Sequence, residues 1–434
     1  MSQTLSARAS LARLDLYGWL GIAIGVVMPV LSAMIYPTYM HQMYPAWAEW
    51  TRLMELPFVA CEIVIIQAAV RAGYRDGEIL GKLPKDITAA LALLTIGLIV
   101  GSTFSSKNVA ASLALSITTV VHLRLCAAIF FLARPVQPER LSAFFPWLGA
   151  GLVALTLLTI WKFQLPPPEW TVPGGTIEWA SAMPGFISVR HFGSWTGAIA
   201  AGLMIAMLYG KREESRLGDL LYLLAAGLTF WSGTRAAVLA MAVVALIAWA
   251  SLRRLPDARA IVRVGSLSAL AMLGAIMFDP GLAEFTLFGR SDVHDASALA
   301  SGRLELWHDT FMRWRDAPVF GWGSGSTFWE VYTGWSHTQP HNVVLQFLIS
   351  WGLVGAAGGL WLLGRAIGAT HRTGMKDDAL RPLTGTLYAL LIMSLLEGML
   401  YYPRFIMLVM IGFGVLFAAR ERANVPLVRQ SRAT

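Results

Sequence analysis

Charge is scarce in this sequence. Asp, Glu, Lys and Arg make up only 14% of its 434 residues, while hydrophobic residues reach 56%; an ordinary globular protein is roughly a quarter charged. So few polar side chains cannot cover the two or three water-facing domains that this length would otherwise suggest. A cytosolic enzyme, a disordered chain and a coiled coil are excluded. Cysteine is nearly absent, and Cys61 and Cys126 both lie in apolar stretches, which rules out the disulfide framework of a small secreted module. No Asp-x-Asp occurs, the histidines do not cluster at metal-ligand spacing, and no P-loop lysine follows the glycines of 321–325. A metal-dependent transferase and a nucleotide hydrolase thus find no support, and neither cofactor nor metal is expected. No internal repeat of roughly 20 to 50 residues is visible, so neither a solenoid nor a duplicated transporter half is indicated.

What is present in quantity is apolar sequence in long runs, and about 20 such residues span a bilayer. The pattern predicts an all-α polytopic membrane protein with about twelve transmembrane helices. These lie near 16–36, 52–70, 86–104, 108–132, 143–161, 192–209, 218–231, 235–251, 263–278, 342–364, 383–400 and 404–419. The first run follows a short basic leader (Arg8, Arg13) without a small-residue cleavage site, and is read as a helix rather than a signal peptide. The net charge of +8 sits in short loops between apolar runs, which marks membrane orientation and speaks against nucleic acid as a partner. With the N-terminus inside, about 23 of the 34 Lys and Arg fall in cytoplasmic segments. Both termini are then cytoplasmic.

Two outer loops are long enough to carry function. One, at 162–191, holds Pro166, Pro167 and Pro168 and ends at Arg190-His191. The other, at 279–341, separates a first block of nine helices (1–278) from a last block of three with the C-terminal tail (342–434). Within it Leu304, Trp307, Phe311 and Trp314 recur at helical spacing, predicting an amphipathic helix against the outer interface. Asp316-Ala317-Pro318 ends that helix, and the Gly321–Gly325 run predicts a flexible turn.

Three groups of residues have chemistry to offer. His341-Asn342 is followed by nine residues and then Gly352-Leu353-Val354-Gly355. At 3.6 residues per turn a continuous helix places His341 and Gly352 on one face. Gly355, Gly358 and Gly359 extend a smooth strip for a neighbouring helix, and Asn342 is a candidate cap. Alone, such a histidine also suits a hydrogen-bonded contact at headgroup depth. Arg190, Arg235 and Arg303 stand at the outer ends of apolar segments. Guanidinium groups grip phosphate oxygens in pairs, although each arginine could instead snorkel or pair with Asp292, Asp295 or Glu305. Glu62 and Glu397 lie within spans, either as proton sites or as paired structural charges; His122 and Arg124 of the fourth span are candidates to face a polar cavity, with snorkelling the alternative for Arg124.

The stretch Ser301–Gly355 resembles the O-antigen ligase and polymerase superfamily of bacterial envelope glycosyltransferases. It does so through Gly302-Arg303-Leu304 with Trp307, through Ala317-Pro318-Val319-Phe320-Gly321-Trp322-Gly323, and through His341-Asn342-x9-Gly352-x-x-Gly355. Ser232-Gly233-Thr234-Arg235 resembles the family's serine–arginine motif. The last spacing of the first set is the one associated with O-antigen ligases. The resemblance implies a GT-C-like fold with a helical periplasmic subdomain between helices 9 and 10. It implies a metal-independent, inverting transfer of O-antigen polysaccharide, as a block, from undecaprenyl pyrophosphate to a sugar hydroxyl of lipid A–core. This would occur at the periplasmic face of the Gram-negative inner membrane. By motif, His341 becomes the general base, and Arg235, Arg303 and the less securely matched Arg190 bind pyrophosphate. Preorganised arginines can neutralise such a leaving group, and an imidazole is a suitable base at neutral pH. An O-antigen polymerase or a protein-glycosylating ligase shares donor and chemistry and differs in acceptor. A polysaccharide or lipid transporter would need accessible polar sites on both sides of the membrane.

Overall fold

The computed structural model describes residues 16–35, 55–164, 183–186, 188–210, 216–278, 303–325 and 339–424. Among these the chain is helical, and the nearest approach to a sheet is a lone bridge between Met183 and Phe186. Helix α1 runs through Leu16–Leu20, a π-helical stretch Gly21–Val27, and Met28–Ile35. It is followed by α2 (Leu56–Arg71), α3 (Lys85–Val100), α4 (Val109–Ala133), α5 (Phe145–Gln164), α6 (Val189–Tyr209), α7 (Arg216–Trp231), α8 (Arg235–Leu252) and α9 (Ala258–Met277). A short helix α10 (Arg303–Trp314) precedes the last three, α11 (Val343–Lys376), α12 (Arg381–Glu397) and α13 (Pro403–Asn424).

Nine of these helices are long and apolar enough to cross a membrane: α1, α3, α4, α5, α6, α8, α9, α11 and α13. This is a multi-pass membrane protein. The other three expected spans coincide with α2, α7 and α12, helices of 16, 16 and 17 residues. At 1.5 Å per residue each rises only about 25 Å, short of a hydrocarbon core of about 30 Å. Conversely, α11 runs well past the expected limit near 364. Hydropathy locates the bilayer, whereas the helix continues through Arg365, His371 and Arg372 for as long as its backbone bonds are served.

The core is built around α6, the most enclosed spanning helix (83% of its window buried). Gly193, Gly197 and Gly202 let the turn after α7, then α8, and then α12 approach its backbone. A second tight pair joins α3 to α11, where a Cβ on Gly97 would stand 2.4 Å from the Cα of Gly355. Only small residues permit that approach. Side-chain caps start α4 (Asn108, accepting from Ala111 N), α6 (Ser188, from Arg190 N) and α11 (Asn342, from Val344 N and Leu345 N).

One feature departs from the expected continuous helix. Gly352 has φ +61° and ψ −170°, so α11 breaks there. The freed backbone groups are taken up by the turn segment that follows α10. Leu353 N and Val354 N donate to the Pro318 and Val319 carbonyls (2.8 and 3.1 Å), while Trp322 N and Gly323 N donate to the Ile349 and Ser350 carbonyls (2.8 and 3.0 Å). Residues 318–325 thus thread beside α11. Ser324 is bonded to Ser116 of α4 and receives the Trp351 indole N–H. The Gly321–Gly325 run is therefore a fixed inlay. Irregular backbone is tolerated at such depth when protein encloses it.

Candidate functional site

Three helix ends converge on His341. The residue precedes α11 with φ +52°, in the left-handed region, a conformation that costs a non-glycine residue about 1–2 kcal/mol. Its neighbours hold it there. Trp307 of α10 donates its indole N–H to the Pro340 carbonyl (2.8 Å), and Gln339 donates to the Tyr402 hydroxyl (3.0 Å). Asn342 caps α11 with its oxygen and donates its amide to the Leu395 carbonyl (3.1 Å), which ties α11 to the end of α12. His341 is outside the helix, so it shares no helical face with Gly352; the break at Gly352 removes that relation a second time. Gly352 serves the inlay instead, since a Cβ there would lie 2.2 Å from Val319 backbone atoms.

The residue facing His341 is Glu397, the last of α12. Its Oε2 lies 3.8 Å from His341 Nδ1, and its Oε1 accepts from the Arg303 guanidinium at the start of α10. Glu397 is almost enclosed (4%), whereas Arg303 and His341 are about one-fifth exposed (23% and 21%). A carboxylate so placed can stabilise a protonated imidazole and fix a guanidinium at once. Gly398, with φ +63°, reverses the chain immediately afterwards, where a side chain would collide with Gln339. Arg303 is thereby paired with Glu397. Asp292 and Asp295 lie outside the described residues.

Arg190 and the turn before Arg235 form a second group. Arg190 Nη1 donates to the Ser232 carbonyl (3.1 Å) and to that of Gly233. Ser232 and Thr234 bond each other (2.9 Å) above Gly193 of α6, and Arg235 then opens α8, half-buried. Between the groups stands Tyr402. Its ring meets that of His191, next to Arg190, at 4.2 Å, and its hydroxyl holds Gln339 beside His341.

Sequence reasoning passed over Arg404 and Glu55. Arg404 is buried between Phe58 and Phe186 (4.8 and 4.4 Å to the ring centroids). It donates from Nε and from its backbone to Glu55 (2.6 and 3.0 Å), which locks the starts of α13 and α2 together. Its position one residue into an apolar helix, after Tyr401-Tyr402-Pro403, was the available signal. Glu62 and His122 pair with each other (2.7 Å) inside the bundle, and Arg124 pairs with Asp76 (2.8 Å) at the end remote from His341; neither belongs to this site. The outer-loop residues Pro166, Pro167 and Pro168, and those of 279–341 other than 303–325 and 339–341, fall outside the described residues. Among the described residues no group of three or more His, Cys, Asp or Glu side chains is placed to hold a metal ion.

A search of curated proteins finds no match to the chain. A family model does match: the one described as O-Antigen ligase covers residues 220–359. That stretch includes Arg235, Arg303, His341, Asn342, Gly352 and Gly355, and with them the α10–α11 inlay. Over about a third of its length, and over most of the residues that build this site, the chain is similar to the O-antigen ligase family.

Proposed function

We propose that this glycosyltransferase-like membrane protein transfers O-antigen polysaccharide en bloc from undecaprenyl pyrophosphate to a sugar hydroxyl of lipid A–core. The site faces the periplasm of a Gram-negative inner membrane, reached by twelve crossings of a GT-C-like bundle with both termini cytoplasmic. The basic-residue asymmetry supports that orientation, and short α2, α7 and α12 are compatible with crossing where neighbouring helices enclose them. The observation that carries the reading is the convergence of His341, Glu397 and Arg303 at three helix ends, with His341 and Arg303 inside the family-matched region.

In this reading His341 removes the proton from the acceptor hydroxyl as its oxygen attacks the anomeric carbon. The bond from that carbon to the pyrophosphate oxygen breaks, with inversion. Glu397 stabilises the imidazolium that forms. Arg303 and Arg235 neutralise the charge that builds on the pyrophosphate, in place of a metal. Arg303 spends part of its fork on Glu397 and presents the remaining N–H groups to the donor. Arg190, bonded to the Ser232 and Gly233 carbonyls, braces the turn from which Arg235 projects and supplies a third contact.

The test is reconstitution of the purified protein with undecaprenyl-pyrophosphate glycan and lipid A–core, followed by gel separation. A glycan ladder on the core supports the proposal. Elongation of the carrier-linked glycan without use of the core would instead mark a polymerase, and glycan appearing on an added polypeptide acceptor a protein-glycosylating ligase. Product on none of these acceptors refutes the transferase reading.

A further inference from the structure

A cavity of about 1300 Å³ lies between the α3–α11 pair on one side and the α4–α13 pair on the other. It is large even for a small-molecule site, and its walls are aliphatic and aromatic for most of their depth, as at Leu91, Leu123, Phe130, Met410 and Phe417. Water would find too few hydrogen-bonding partners there, and close-packed interiors do not keep voids of this size. Hydrocarbon chains are the occupant that such walls accept.

The two ends of the cavity differ. One end reaches Tyr402 of the His341 site, and toward that end hydroxyl links join the walls: Ser102 bonds Ser112 and Ser116, and Ser116 bonds Ser324 of the inlay (2.8–2.9 Å). Closer to the other end, among the described residues, no hydrogen bond joins α3 to α4. That far end carries charge. Arg124 pairs with Asp76 (2.8 Å), Arg365 with Asp86 (2.8 Å) and Glu421 with Arg134 (2.6 Å), one to one. Burial alone would raise the Asp76 carboxyl, but the Tyr74 hydroxyl and the Arg124 guanidinium outweigh it and hold the group below its ordinary range. It stays ionised, and Arg124 stays compensated. Arg420, on the cavity wall and exposed, has no ion-pair partner among the described residues. The mouth therefore carries one surplus cation, and each paired arginine there retains N–H groups beyond the two that a carboxylate takes. Arg420 lies 16 residues beyond Arg404 on α13, about 24 Å further along the helix, so this mouth opens at the opposite membrane face from His341.

We propose that this cleft is a binding site for an anionic phospholipid of the leaflet remote from the His341 site. Its acyl chains fill the space between α3–α11 and α4–α13, and its phosphate sits on Arg420 with Arg124 and Arg365 alongside. The phosphate position lies at the face opposite to His341, and its occupancy does not depend on the transfer chemistry. A lipid there acts as a packing element between two helix pairs that touch each other little at that depth.

The test uses the full-length protein in nanodiscs of phosphatidylcholine containing a minor fraction of phosphatidylglycerol. The lipids retained on the protein are counted by native mass spectrometry after the disc is removed. One arginine near a membrane surface favours an anionic lipid by about fivefold, so phosphatidylglycerol should be enriched on the protein by about that factor over its share of the disc. Arg420→Gln, at an exposed position that no other part of the site uses, should return the ratio to that of the disc and leave glycan transfer unchanged. Leu91→Trp, which fills the cleft, should reduce retention of both lipids. No enrichment in the unmodified protein, or enrichment that survives Arg420→Gln, overturns the proposal. So does displacement of the retained phosphatidylglycerol by added polyprenyl phosphate, which would assign the cleft to the donor's isoprenoid chain. Each of these outcomes is independent of whether the protein transfers glycan to lipid A–core.

Discussion

Glu397→Gln separates the two tasks assigned to one carboxylate. At 3.8 Å a carboxylate and an imidazolium attract by about 4 kcal/mol at an effective dielectric near 20. Arg303 on the same carboxylate and the partial exposure of His341 (21%) screen that attraction, leaving about 2 kcal/mol, or roughly thirtyfold in rate. The imidazolium exists only after the acceptor proton has moved, so the loss should fall on kcat. Donor affinity should move the opposite way or hold steady, because the amide releases the Arg303 fork for pyrophosphate. Arg303→Ala should instead raise KM for the donor. Single-turnover transfer at saturating donor reads the first effect, and donor titration reads the second. A well-folded Glu397→Gln protein with kcat within about threefold of the parent and weakened donor binding would refute both parts of the argument, since it would make Glu397 a substrate contact only.

The remaining tests are shorter. His341→Ala should cost about 10²–10⁴-fold in rate with donor still bound, and the parent's rate should rise with pH, because only the neutral imidazole accepts a proton; a near-parental rate in the variant would remove His341 as base. Gly352→Ala forces a side chain into a backbone conformation reserved for glycine and against Val319, so thermal unfolding in detergent should show a loss of about 3 kcal/mol or more, and an unchanged transition would contradict the inlay. Transfer should persist in excess chelator; loss of activity restored specifically by Mg²⁺ or Mn²⁺ would mean that the arginines do not act in place of a metal. Single cysteines at Thr176 and Ser297 should label with an impermeant reagent from the periplasmic side and one at Ser215 should not, and labelling of Ser297 from the cytoplasmic side alone would invert the orientation.

The helices were legible because apolar runs of membrane length have few other uses, and the cap at Asn342 follows from local backbone chemistry. His341, Arg303 and Arg235 could be singled out because a charged or titratable residue at the end of an apolar run is costly enough to need a reason. What could not be read was pairing. Arg303 and Glu397 are separated by 94 residues, and no periodicity connects them, so Glu397 remained an ambiguous carboxylate until the fold brought it to His341. The break at Gly352 was hidden for a related reason. A glycine in an apolar helix reads as a packing surface, as at Gly355, and its use as a backbone junction depends on a segment about 30 residues upstream. Arg404 was lost among apolar neighbours, its counter-charge 349 residues away at Glu55.

The inlay at Gly352 also bears on how the chain is assembled. An open break in α11 would expose two amides and two carbonyls to hydrocarbon, at several kcal/mol each. The segment that satisfies them, 318–323, precedes α11 and the Pro340-His341-Asn342 corner in the sequence. The bend in α11, the seating of α10 and the place of Arg303 beside Glu397 therefore depend on one another: displacing 318–323 leaves the amides and carbonyls at the break unsatisfied and loosens the path that carries Arg303 to Glu397.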